Sequence, residues 1–141
     1  MSENNKKSSK AKKIKRNWHL FDAREESFGR MASKIAVLLR GKNKVSFTPY
    51  IDGGDFVVVV NSDALKYTGN KKDGKIYYRY SGYMGGMKEI NLGDQIKKNS
   101  GKVIEDAVFG MLPKNKLRNE MMKRLKVYKD DQHPYGDKFE K

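Results

Sequence analysis

Cysteine is absent from this sequence. That excludes a disulfide framework, a thiol nucleophile and thiolate metal sites, and it is compatible with the cytoplasm. Histidine occurs twice, at His19 and His133. His19 lies in an apolar, strand-like stretch and reads as a solvent-facing or satisfied structural residue. His133 precedes a proline in a polar segment, and neither histidine has metal-ligand spacing. Long apolar runs are also missing. Ile35 to Leu39 and Phe56 to Val60 are the longest, at five residues each, whereas a membrane-spanning helix needs about 20. No apolar stretch follows the basic N-terminus, so a secretory signal is not expected, and no lipidation motif is recognised. A membrane is therefore the least expected of the anionic partners.

Catalytic motifs are equally scarce. No serine elbow, Walker loop or dinucleotide fingerprint is present, and the glycine-rich stretch Gly82-Tyr83-Met84-Gly85-Gly86 has the spacing of none of them. Asp52, Asp55 and Asp63 gather near one predicted strand, as Mg²⁺-holding aspartates do in nucleases. Asp52-Gly53-Gly54-Asp55 is better read as a tight turn feeding that strand, because aspartate and glycine suit turns for backbone reasons. The expectation is a non-enzymatic protein with no cofactor, no metal and no small-molecule substrate.

Acidic residues are in short supply. Lys and Arg number 31 against 17 Asp and Glu, so the 141-residue chain carries a formal net charge of +14. A surplus of that size in one small domain repels itself until a polyanion neutralises it. The isolated protein should therefore be more stable at high salt than at low.

The length suits one domain, and no internal repeat interrupts it. Residues 1–16 hold seven Lys or Arg and one Glu with little apolar content, and read as a disordered basic extension. It could serve as an arm along phosphates, carried by Lys12, Lys13, Lys15 and Arg16. Residues 17–130 read as the folded domain and 131–141 as a loose polar tail.

Within the domain, Trp18 to Ala23 reads as a first strand. Phe28 to Arg40 reads as a helix capped by Ser27 and ended by Gly41. Its apolar stripe is Met31, Ile35, Leu38 and Leu39, with Arg30, Lys34 and Arg40 off it. Phe56 to Val60 is continuous and mostly β-branched, the pattern of a strand buried on both faces of a parallel sheet. Strand, helix and strand in that order suggest a right-handed βαβ unit. Ala64 to Thr68 and Lys75 to Tyr80 read as strands of a hairpin closed by Gly69 to Gly74. Asn91 starts a short helix through Lys98. Lys102 to Leu112 forms another, ended by Pro113, and Lys116 to Arg124 a third. Lys126 to Tyr128 reads as a returning edge strand.

The basic residues carry the strongest functional signal. Arg40, Lys42 and Lys44 form one cluster, Lys71 and Lys72 a second. A third spans Lys114 to Lys129, where seven Lys or Arg face one Glu. A solvated helix face normally alternates in sign, and this one does not. Phosphate binding follows as the expectation, at about one unit of salt dependence per contact. Lys123 and Arg124 together should contribute about two. Tyr77, Tyr78, Arg79, Tyr80 and Tyr83 interleave aromatic rings with charge, which suits base stacking. Tyr77 and Tyr78 occupy opposite strand faces, so at least one is expected to be structural.

These segments resemble the large-subunit ribosomal protein L13 family, bacterial branch, over roughly Arg16 to Tyr128. The stretch W-H-L-F-D-A…F-G-R-M-A-S-K-I-A…L-R-G-K is similar to the family's opening strand and helix. F-T-P-Y-I-D-G-G-D-F-V-V-V-V-N is similar to its second strand and preceding turn. T-G-N-K…K-I-Y-Y-R-Y-S-G-Y-M-G-G and V-F-G-M-L-P-K-N-K-L…L-K-V-Y follow in the family's order. The resemblance implies a three-layer α/β/α domain around a mostly parallel sheet, with no catalytic residues or cofactors. It also implies a structural role in the large ribosomal subunit in the cytoplasm, on ribosomal RNA, beside neighbouring large-subunit proteins and early in assembly. The family's RNA-facing positions map onto Lys42, Lys44, Lys71, Lys72, Lys114, Lys116, Lys123 and Arg124. Tyr50 and Tyr80 stand where histidine is common in the family, and Arg118 where a small residue is usual.

Three readings compete: a ribosomal structural protein, a free regulator acting on mRNA, and a Mg²⁺-dependent nuclease on the aspartates. Sedimentation with the large subunit separates the first two. Metal-stimulated cleavage lost in Asp55→Asn would mark the third.

Overall fold

The computed structural model describes residues 14–139. Three strands form a parallel sheet in the order β1 (Trp18–Asp22), β2 (Phe56–Val60), β5 (Leu125–Val127), with β2 in the centre. Helix α1 (Phe28–Arg40) links β1 to β2 and completes the βαβ unit. All four valines of β2 are buried, as a central strand requires.

Alternation along the strands sorts the residues by face. Val57 and Val59 join the core with Met31, Ile35 and Leu39 of α1 and Val103, Ile104 and Val108 of α3 (Leu92–Met111). Trp18, Phe56, Val58 and Val60 take the opposite face. There the Trp18 and Phe56 rings stack at 4.4 Å, and Tyr135 lies 4.8 Å from Trp18. The segment expected to be a loose polar tail thus packs: its 3₁₀ turn Gly136–Lys138 and its rings supply a thin third layer over the sheet. The signal for this is the spacing of Tyr128, His133, Tyr135 and Phe139, whose rings contact one another or Trp18.

α1 has the predicted bounds. Ser27 sits at its N-cap with extended backbone, but its side chain makes no cap hydrogen bond. Gly41 closes the helix at φ 77, the left-handed geometry that glycine adopts without strain, and its N–H bonds to the Leu38 carbonyl. α3 contains both predicted helices. They meet at Asn99, whose backbone is non-helical and whose Oδ1 accepts from the Lys102 N–H at 3.1 Å, capping the second half. The third predicted helix is shorter, α4 (Arg118–Lys123), and buries Met121.

The hairpin exists and uses the expected strand Lys75 to Tyr80, but with a different partner. Ala64 to Thr68 forms no strand; the 3₁₀ turn Ser62–Ala64 and a single bridge from Lys66 to Ser27 occupy that stretch. The expected hairpin loop is one helical turn, α2 (Lys71–Gly74). β3 (Ile76–Tyr80) instead pairs antiparallel with β4 (Met87–Asn91) around the glycine-rich stretch, where Gly82 and Gly85 have φ of 89 and 70. β4 reads Met-Lys-Glu-Ile-Asn, with too few apolar and β-branched residues to signal a strand. Its pairing is set by the turn that precedes it.

Candidate nucleic-acid interface

The acidic residues nearest the sheet are turned inward. The Asp55 carboxylate is fully buried at the start of β2. It accepts from the Asn17 N–H at 3.0 Å, His19 Nε2 at 3.1 Å and Lys44 Nζ at 2.5 Å. Lys44 also donates to the Lys15 and Gly53 carbonyls. Burial alone would raise the Asp55 pKa. The Lys44, Asn17 and His19 hydrogen bonds outweigh it and hold the group below its ordinary 3.8. Asp55 therefore contributes stability that is complete above 3.8 and is lost as pH falls through the lower folded value. Urea midpoints measured from neutral to acid pH should drop more steeply in the native protein than in Asp55→Asn. Parallel curves would show that the carboxylate is not held low.

Asp52 pairs with Arg124 and, at 3.6 Å, with Arg16, and Asp63 accepts from Ser100 Oγ. The three aspartates considered for metal catalysis are thus each committed to a partner within the fold. His19, whose Nε2 bonds to the buried Asp55 carboxylate, is a satisfied structural histidine.

Several expected phosphate ligands are drawn into the fold by the same arrangement. Arg124 is only 4% exposed. Its guanidinium reaches Asp52 at 2.5 Å, and its Nη2 donates to the Leu39 carbonyl at 2.9 Å, satisfying the C-terminal end of α1. Lys44 is the half-buried partner of Asp55, and Arg16 is tied to Asp52. Arg118 lies over the Phe109 ring at 3.5 Å and donates to the Phe109 carbonyl. Arg40 stands 5.2 Å from the Phe47 ring centroid. Lys123 pairs with Glu120 on the surface at 2.7 Å. Lys12 and Lys13 lie outside the described residues.

The remaining expected cations face solvent without a carboxylate partner among the described residues: Lys15, Arg30, Lys42, Lys71, Lys72, Arg79, Lys114 and Lys116. Tyr80 is 62% exposed on the outer face of the hairpin. Tyr77 turns the other way, towards the core. Its buried hydroxyl has no partner among the described residues, and burial followed by the Asp106 charge raises its pKa.

The structure adds two cations to this set, Lys88 and Lys75. Lys88 lies directly opposite Arg79 across the hairpin. Like charges in that position destabilise a sheet, so an anion bound between them would relieve the pair. Lys75 joins Lys71 beside α2 and stands 5.2 Å from the Tyr77 ring centroid. Lys88 is a single lysine outside any basic run, and only strand register places it with Arg79; Lys75 follows Lys71-Lys72 closely in the sequence, and the α2 turn sets it beside Lys71.

Fold and charge together define a class: a small α/β domain that turns its sheet-proximal carboxylates inward and leaves rows of cations outward. The family model for ribosomal protein L13 matches residues 16–134, and the chain belongs to that family of structural, non-enzymatic proteins. Large ribosomal subunit protein uL13 of Petrotoga mobilis is 52% identical over 126 residues, covering 89% of this chain and 83% of that protein. The protein of the same name from Pelobacter propionicus is 50% identical, covering 89% of each chain. That of Streptomyces coelicolor is 46% identical over 123 residues, covering 87% and 84%.

Proposed function

We propose that this chain is a structural constituent of the large ribosomal subunit, in the cytoplasm, that it binds large-subunit ribosomal RNA beside neighbouring large-subunit proteins, and that it acts early in subunit assembly. Family membership across residues 16–134 carries the reading. The charge distribution supports it: a net +14 with outward cations left unpaired suits a polyanion with dense phosphates. The relatives' names favour the ribosome over a free regulator on mRNA.

Sucrose-gradient fractionation of a lysate at moderate and high salt tests it. The protein should travel with the large subunit and resist the high-salt wash. Finding it at the top of the gradient in both conditions would overturn the proposal.

A further inference from the structure

Two clefts meet beside α2. The first, about 770 Å³, lies between the start of α1 and the second half of α3 and has Phe28 and Tyr67 among its apolar walls. The second, about 620 Å³, runs along the outer face of the hairpin and is walled by Ile76 and Tyr78. Both volumes fall in the range of small-ligand sites. The clefts share a wall made of Thr68, Lys71 and Lys75. The shared wall is therefore cationic, while each outer wall carries an aromatic ring.

Charge in the first cleft is divided. Arg30, Lys71 and Lys75 line it and are in no salt bridge among the described residues. Asp106 is the carboxylate in its lining. Among the described residues the N–H groups of Gly29 and Arg30 have no acceptor: Phe28 N–H is taken by the Lys66 carbonyl and the next bond runs from Met31 N–H to the Ser27 carbonyl. A bare phosphate would be attracted by the cations and repelled by Asp106. A nucleotide satisfies both, with phosphate on the lysines and base N–H donors on the carboxylate. Guanine fits best, since its Watson–Crick edge presents adjacent N–H donors to one carboxylate.

We infer that the joined clefts bind an unpaired step of RNA, with a phosphate on Lys71 and Lys75, one base in the cleft of Tyr67 and Asp106, and the adjoining base against Tyr78. This rests on the RNA-binding reading above and adds to it which kind of RNA the site takes. A duplex keeps its base faces stacked on each other and cannot insert one into a concave wall. Single-stranded loops and bulges can.

The test is fluorescence anisotropy of the full-length protein. The probes are a short single-stranded RNA with a central guanine, its all-uridine counterpart, a fully paired duplex, and large-subunit ribosomal RNA. The guanine-containing strand should bind more tightly than the duplex and than the uridine strand. Tyr78→Ala, at a site 61% exposed, should weaken it by roughly 5- to 150-fold, the effect of losing one stacked base. Lys71→Ala with Lys75→Ala should weaken both strands, and Asp106→Asn should erase the guanine preference. Equal binding of duplex and single strand, or no loss in Tyr78→Ala, would overturn the inference. If ribosomal RNA still bound in that case, the proposed function would stand. Failure to bind any of these RNAs would overturn both.

Discussion

Replacing Arg124 with alanine should lower the unfolding free energy by about 3–5 kcal/mol, the cost of breaking a buried ion pair from one side. The salt dependence of RNA binding should stay unchanged. The substitution leaves the largely buried Asp52 without its principal cation and removes the donor from the Leu39 carbonyl at the end of α1. Arg124→Lys should recover only part of the loss, because a single ammonium cannot reproduce the forked contact to Asp52 and reach Leu39 as well. Urea unfolding followed by the fluorescence of Trp18, the single tryptophan, measures the stability. Binding titrations across salt measure the slope. A stability change below about 1 kcal/mol, the range of exposed pairs, with a slope smaller by about one unit, would return Arg124 to the RNA face. Of the Lys123 and Arg124 pair, Lys123 alone remains available for a phosphate contact.

Gly54→Ala should be comparably damaging, at about 3 kcal/mol or more, while Gly53→Ala, one residue away, should change stability by less than about 0.5 kcal/mol. A Cβ on Gly54 would sit 1.8 Å from the Leu39 carbonyl oxygen and 2.9 Å from Arg124 Nη2. The oxygen belongs to a buried helix end and cannot swing aside as a flexible side chain can. Retreat is closed too, since Gly53 and Gly54 lie against Gly41, where an added Cβ would stand 3.0 Å from the Gly53 carbonyl. A Cβ on Gly53 meets nothing within 4 Å. Urea midpoints of the two variants decide the matter, and equal midpoints would show that the turn can shift away from α1.

The turn Asp52-Gly53-Gly54-Asp55 shows how far the residues alone can be read. Its type follows from composition, and its role as a feed into a buried strand holds. That its aspartates would be held by Arg124, Arg16, Lys44 and His19 does not follow, because those partners come from three separate parts of the chain. The hairpin is similar. β3 is evident from its tyrosines and isoleucine, yet its partner β4 carries Lys, Glu and Asn at three of five positions. Only the backbone pairing register identifies it, and that register is also what sets Lys88 against Arg79.

The sequence by itself determined the helix α1, the buried central strand β2, the parallel βαβ order and the excess of positive charge. Hydrophobic period and composition are local properties, and they survive whatever the rest of the chain does. Only the tertiary structure decided which cations are left to meet an anion. Arg124 and Lys44 look no different in the sequence from Lys71 and Lys114. A charge is spent or free according to what lies within a few ångströms of it, and for Arg124 that neighbour is an aspartate 72 residues away.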